Sequence, residues 1–332
     1  MIDAAVLRVC GQPPTIARRP VPVPADDEVL VQVVAAPITP LDVLCASGAS
    51  YFGAPATPYV PGVQGVGCLP DGTAVWFATS AGMRPGDGSM ASIVAVRSDD
   101  VVPLPPGAPL ELIAALGLSA VAALSALRAG AGSSALSTPG GDGGLGQVVV
   151  LGAGGVVGQA AIQLALLGGA RRVIAVTRSP ASLARAAALG AAATVPLLPD
   201  DSETGLADCL RDAAEGPVDL VIDPVFGMPA AAALRVLRPG GTLVNLGSAA
   251  GATAPFDSAT LRSGSLRIVG YTNNALTTLE RASALTEIAA HATAGALTVT
   301  HEVVPLAAVA EAWTRQAIGK AYGRMVLSIV DR

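Results

Sequence analysis

The sequence predicts an α/β protein in which a doubly wound parallel sheet is joined to a second, β-rich domain. Three observations carry that expectation. From Val148 onward short apolar runs alternate with helical stretches, and the first pair is joined by the glycine-rich turn "LGAGGVVG". Before about residue 118 the apolar runs are instead separated by Pro, Gly and Asp clusters, the punctuation of short strands and turns. With 332 residues, 52% hydrophobic and 14% charged, the chain has apolar surface enough for about two folded domains.

In the first part, "EVLVQVVAA" (Glu28–Ala36) and "MASIVAV" (Met90–Val96) read as strands, and Pro103, Pro105 and Pro106 mark a domain edge. "ELIAALGLSAVAALSALRAG" (Glu111–Gly130) reads as a helix that is apolar on every side and therefore buried between layers. The Gly/Ser-rich residues 129–146 read as a surface loop. "VVVLG" then gives a strand, "QAAIQLALLGG" a helix and "RRVIAVTRS" a second strand. "PASLARAAALG" is a helix with Ser179 as its N-cap, Pro180 in its first turn and Gly190 at its end. "VDLVID" is a strand, "AAAALRVLRPGG" a helix stopped by Pro239 and Gly240, and "TLVNLG" and "LRIVGYT" further strands. Continuous apolar strands joined by helices imply a parallel sheet covered on both faces. Strands from Leu297 onward, "RMVLSIV" among them, are expected to return to the first domain.

Composition excludes several functions. The net charge is −5 and Lys and Arg form no block, so there is no nucleic-acid footprint. The first fifteen residues, with Asp3, Arg8 and two prolines, do not read as a secretory leader. The uncharged run Gly143–Ala170 is long enough for a bilayer, but glycines break it into a strand, a turn and a helix, so no membrane span is expected. Cys10, Cys45, Cys68 and Cys209 are widely spaced, which fits neither a zinc set nor a disulfide framework; a reduced, cytoplasmic chain is expected.

The glycines carry the chemistry. Gly152, Gly155 and Gly158 follow a strand and open a helix, with Gly154, Val156 and Val157 between them. Glycine there permits a tight turn, close approach of a ligand to the backbone, and close helix–strand packing. The exposed N–H groups of the helix start and its dipole suit a pyrophosphate, so the expected ligand is a dinucleotide. At the end of the second strand an acidic residue would hold a ribose 2′-hydroxyl. Thr177, Arg178 and Ser179 stand there instead, which favours a 2′-phosphate and hence NADPH over NADH, unless Arg178 is simply a solvated surface residue.

At this point the chain resembles the medium-chain dehydrogenase/reductase superfamily, in its zinc-independent quinone-oxidoreductase and enoyl-reductase branch. "AAPITPLD", "PYVPGVQGVG" and "VVPLPPG" match the N-terminal landmarks, and "GLSA", "LGAGGVVG", "LRPGGTLVNLG" and "GYTNN" match the cofactor half in order. The resemblance implies a GroES-like β-rich catalytic domain over residues 1–118 and 273–332, and a Rossmann NADP(H)-binding domain over 119–272. It also implies NADPH in the cleft between them and a homodimer formed through the cofactor domains. In the similar zinc alcohol dehydrogenases a metal-binding Cys stands where this chain has Thr39, and the His and Glu of a G-H-E motif stand where it has Val63 and Gln64. The four-cysteine lobe is missing, and the only histidines are His291 and His301. Hydride transfer to a conjugated carbon–carbon double bond needs no Lewis acid and is the reaction the resemblance leaves.

Such a reaction needs a donor for the developing enolate oxygen. Tyr51, in the loop "ASGASYFG", is the first candidate, its alternative being a loop tyrosine that only packs. Thr39 and Gln64 occupy former ligand positions and either bind the substrate oxygen or fill space. On the cofactor side the candidates are Ser119, Asn245, Gly247 and Tyr271, with Lys320 and Arg324 as phosphate neighbours or solvated charges. Asp223 reads as a turn residue. The expected function is NADPH-dependent reduction of a small, hydrophobic conjugated substrate: an enone, quinone or enoyl thioester. Two alternatives stay open, a tailoring reductase or reductive cyclase of secondary metabolism acting on a polyene intermediate, and a non-catalytic NADPH-binding protein.

Overall fold

The computed structural model describes residues 1–131 and 145–329. The chain divides into two compact units, one made of Met1–Leu118 with Thr277–Arg332, the other of Ser119–Leu276.

The first unit opens with a hairpin, β1 (Ile2–Val6) against β2 (Thr15–Arg19), followed by β3 (Glu28–Ile38). Helix α1 (Pro40–Ser47) starts at Thr39, which forms a reciprocal capping box with Asp42, and Gly48 closes it in the left-handed region. Strands β4 (Gln64–Cys68), β5 (Ala74–Ala78), β6 (Ile93–Arg97) and β7 (Val101–Pro103) complete the N-terminal part. The expected strand over Met90–Val96 is therefore shorter at its start. Residues 90–92 bond to β1 instead, the Ala5 N–H to the Met90 carbonyl and the Ser92 N–H to the Asp3 carbonyl. Helix α2 (Leu110–Ala131) is apolar and mostly buried; its length alone would cross a bilayer, but it breaks at Gly117, where φ is 31° and ψ −131°. It also runs through Ala131, so the loop expected from residue 129 begins later, and residues 132–144 of that loop lie outside the described residues.

The second unit continues with β8 (Gln147–Leu151), α3 (Val156–Leu167), β9 (Arg172–Thr177), α4 (Pro180–Ala188), β10 (Ala193–Pro196), α5 (Glu203–Ala213) and β11 (Val218–Asp223). Then come α6 (Gly227–Leu234), β12 (Leu237–Asn245), α7 (Ser258–Ser263) and β13 (Arg267–Gly270). All pairings in the six-stranded sheet are parallel, in the order β10-β9-β8-β11-β12-β13. This is the doubly wound order with its switch point between β8 and β11. Val149, Leu151, Ile174, Val176, Val221 and Leu243 are fully buried, and α5 and α6 cover that face through Leu206, Leu210 and the alanines Ala230, Ala232 and Ala233. On α2, a Cβ at Gly130 would overlap Leu220 of β11, so the helix lies directly on the strand there. Helix α6 ends at Leu234 rather than at Pro239 and Gly240. The Val218 N–H takes the Val236 carbonyl, and a register shift between β11 and β12 places the Pro-Gly pair within the strand, where both residues are exposed.

The chain then returns to the first unit. It is not a tail of strands alone: α8 (Thr278–Thr293) precedes β14 (His301–Pro305), and α9 (Val309–Ala317) precedes β15 (Arg324–Ser328). β15 pairs antiparallel with β3, giving the order β14-β15-β3-β4-β5-β7 with β6 also on β3. The core of this unit gathers Leu7, Val31, Val33, Ile38, Phe77, Met90, Trp313, Met325 and Leu327. In the other unit Ile174 lies mid-strand with no exposure, so Ile174→Ala is expected to cost about 2–5 kcal/mol. A lowered urea midpoint with an unchanged slope would show it.

Candidate functional site

The sheet of the second unit presents its strand ends at the glycine turn. β8 stops at Leu151, and Gly152 turns the chain at φ 61°. The Ala153 N–H donates to the Val176 carbonyl, pinning the turn to β9. A Cβ at Gly158 would lie 2.6 Å from both the Ala153 Cα and the Gly152 carbonyl oxygen, so only glycine lets α3 rest on the turn. Gly155 does the opposite: a Cβ there would meet only the Gly152 oxygen at 3.5 Å, and the residue is exposed. Gly155 also caps α3 without any side-chain hydrogen bond, while Val156 is buried and Val157 half-buried behind it. The result is a helix start with an open backbone face and a favourable dipole, which fits a diphosphate.

Beside it, a Cβ on Gly154 would run into the Ser182 and Thr177 hydroxyls at 2.7 and 2.8 Å. Thr177 is buried at the end of β9, and Arg178 and Ser179 are exposed. Ser179 caps α4, accepting the Ser182 N–H at 3.2 Å and donating to the Ser182 hydroxyl at 2.8 Å. Hydroxyls and one guanidinium thus occupy the strand end.

Asp223, at the end of β11, is fully buried. One carboxylate oxygen accepts the N–H groups of Val225 and Phe226 at 3.0 and 2.7 Å, and the other accepts the Asn245 amide at 3.1 Å. That amide also donates to the Gly247 carbonyl at 2.7 Å. The Tyr271 N–H donates to the Asn245 carbonyl at 2.9 Å, and the Tyr271 hydroxyl to the Asn273 side chain at 2.9 Å. Asp223 is a turn residue that also ties the end of β11 to that of β12 through Asn245. Burial raises its pKa, and its hydrogen-bond donors oppose the rise.

In the first unit a second buried carboxylate gathers the other candidates. One oxygen of Asp42 accepts both the N–H and the hydroxyl of Thr39, at 2.8 and 2.6 Å, and the other accepts the Val63 N–H at 2.9 Å. Burial raises the Asp42 pKa; the Thr39 and Val63 bonds and the Arg324 charge pull it back. Arg324 is itself buried and donates to the Ile38 carbonyl at 3.1 Å; desolvation pushes its guanidinium down to about 10. Gln64 is wholly buried, its Oε1 accepting the Leu118 N–H at 2.6 Å and its Nε2 donating to the Ala114 carbonyl at 3.4 Å. Ser119 follows Leu118 on α2 and is half-buried. Tyr51 stands exposed on its loop with its ring 4.2 Å from that of Phe52. Lys320 is exposed after α9. Among the described residues, no three His, Cys, Asp or Glu side chains are grouped so as to hold a metal ion.

Thr39, Val63 and Gln64 are thus held together around Asp42 and α2, whereas Tyr51 and Lys320 are exposed. In the other unit Gly154, Thr177 and Ser179 meet around Ser182, and Gly247 and Tyr271 meet at Asn245, which itself bonds Asp223. The sequence reading gives no role to Asp42 or Ser182. The capping pattern T-x-x-D was the available signal for the first, and a serine three residues past the N-cap for the second.

The zinc-binding dehydrogenase family matches residues 156–289, a stretch with one cysteine, Cys209, and no histidine before His291. No curated protein sequence matches the chain. Among solved structures, a mycobacterial quinone oxidoreductase superposes with a TM-score of 0.83 at 23% identity, over 99% of this chain and 100% of that one. The quinone oxidoreductase of Thermus thermophilus, solved also in complex with NADPH, superposes with a TM-score of 0.77 at 29% identity, over 98% and 99%. A structure described as an NAD-dependent alcohol dehydrogenase reaches 0.80 at 26% identity, over 99% and 100%. The matched domain covers part of the second unit, and over nearly the whole chain the fold is that of these quinone-oxidoreductase and alcohol-dehydrogenase neighbours, consistent with the resemblance to the medium-chain dehydrogenase/reductase superfamily.

Proposed function

We propose that this chain is an NADPH-dependent oxidoreductase that, without zinc, passes hydride to the activated carbon–carbon double bond of an enone, quinone or enoyl thioester. The observation that carries the reading is the pairing of an uncapped, open helix start at Gly155 with hydroxyls and Arg178 at the end of β9. The first suits a diphosphate and the second a 2′-phosphate. The Thermus neighbour, solved with NADPH, supports the same cofactor.

NADPH, when bound, supplies the hydride. The first-turn amides of α3 would hold its diphosphate, and Arg178, with Ser179 and Ser182, its 2′-phosphate. Ser119, Asn245, Gly247 and Tyr271 would border the nicotinamide, and Lys320 the phosphates; Arg324, buried on the Ile38 carbonyl beside Asp42, is taken up by that contact. On the substrate side we assign Tyr51 as the donor to the carbonyl oxygen on which negative charge develops. Thr39, already donating its hydroxyl to Asp42, keeps acceptor capacity and would orient the substrate rather than protonate it. Four cysteines that form no disulfide pair fit a reducing, cytoplasmic setting. β13 is the outer strand of its sheet and exposes Ile268, which supports a homodimer in which two such edges meet.

Three outcomes are expected. Arg178→Asp weakens NADPH binding at least tenfold and leaves NADH binding nearly unchanged, read by titration calorimetry with both cofactors. Equal loss for both cofactors would remove Arg178 from 2′-phosphate recognition. Tyr51→Phe lowers kcat for an enone by roughly 10²-fold with little change in cofactor affinity. If the wild type binds NADPH tightly yet consumes it with no enone, quinone or enoyl thioester offered, the protein binds the cofactor without being a reductase. Sedimentation equilibrium should give twice the chain mass, and Ile268→Lys should shift the species toward the monomer.

A further inference from the structure

Gly117 is the one residue inside α2 whose backbone leaves helical space, and it sits in the left-handed half of the φ range. The break interrupts the helical ladder, so N–H and carbonyl groups on its two flanks need other partners. The Gln64 side chain supplies one to each flank: its Oε1 accepts the Leu118 N–H at 2.6 Å, and its Nε2 donates to the Ala114 carbonyl at 3.4 Å. The chemistry fixes the orientation of the amide, because an N–H can only be accepted and a carbonyl can only be donated to. A Cβ on residue 117 would overlap the same amide, so glycine is required by space as well as by conformation. Gln64 in turn is held through its own carbonyl, which accepts the Ser89 hydroxyl at 2.5 Å. It has no exposed surface from which to meet a ligand.

We propose that Gln64 is a positioning residue, whose amide latches the break in α2 and so fixes where the second helical segment begins and where Ser119 stands. The inference rests on the cofactor reading above only in taking Ser119 as a contact of NADPH; the latch itself is independent of it. A glutamine is needed because it is the uncharged side chain of this length that offers an acceptor and a donor at once. A carboxylate keeps the acceptor and turns a second lone-pair oxygen toward the Ala114 carbonyl. A protonated carboxyl restores the donor.

That difference gives the test. Gln64→Glu and Gln64→Leu are compared with the wild type at pH 5.5 and 8.5, by backbone hydrogen exchange of residues 113–123 without cofactor and by NADPH affinity. Burial raises the pKa of the introduced glutamate, so it is protonated at the lower pH and ionised at the higher. For Gln64→Glu, protection at residues 118–121 and NADPH affinity should match the wild type at pH 5.5. At pH 8.5 protection should fall, with affinity about tenfold weaker. Gln64→Leu should be weak at both. A Gln64→Glu protein that behaves alike at both pH values in exchange overturns the latch, and exchange that opens while affinity holds overturns the positioning role. If the wild type binds no NADPH at either pH, the cofactor reading fails, and the exchange data still decide the latch.

Discussion

The structure depends on a row of peptide amides left without side-chain partners at the carboxyl end of β8. A parallel sheet brings the ends of its central strands to one edge, and the strand order here puts β8 beside β11 at the point where the winding reverses. Helix α3 can begin there only because Gly158 allows it to lie on the turn and Gly152 allows the turn itself. Gly155 then leaves the helix start open. In this protein of net charge −5, the oriented backbone and one guanidinium would take the part that a basic patch plays for an anionic ligand.

Two buried carboxylates organise the loops around that edge and in the other unit. Asp223 gathers the N–H groups of Val225 and Phe226 and the amide of Asn245. Asp42 gathers Thr39 and Val63. Each is raised in pKa, burial outweighing the donors. The folded state therefore binds a proton at these sites more readily than the unfolded chain. Their contribution to stability falls as pH rises from the ordinary aspartate range through the folded pKa. Each buried carboxyl is held by several donors, so losing one leaves a buried polar group short of a partner and costs more than one ordinary hydrogen bond.

The doubly wound half was legible because its signals are local. Continuous apolar strands, a Ser-Pro helix start and spaced glycines each act within a few residues, and β8, α3, β9 and α4 occur where those signals place them. The misread stretches depend on partners far away in sequence. Helix α6 stops early because Val236 pairs with Val218, and the start of "MASIVAV" is drawn to β1. Helices α5, α8 and α9 are amphipathic, each burying a single face, and their mixed composition hid them among the apolar strands nearby. The glycine turn of the candidate site was likewise readable; the T-x-x-D pattern could have flagged Asp42's bond to Thr39, but not its bond to Val63, 21 residues away, which no spacing rule joins.

The positions that match metal ligands in the similar zinc enzymes carry other bonds in this chain. A metal ties distant segments together through its ligands and polarises a substrate oxygen. In this chain the first task falls to side chains of the same neighbourhood. Asp42 binds residues 39 and 63, and Gln64 binds both flanks of the break in α2. Their polar atoms are occupied by that work, and Gln64 has no surface left to offer a substrate. In the proposed reaction the second task would fall to the O–H of Tyr51, a weaker electrophile than a divalent cation. A weaker electrophile suffices only for an acceptor that already delocalises the incoming charge, which is why the proposed reaction takes a conjugated double bond rather than an unconjugated carbonyl.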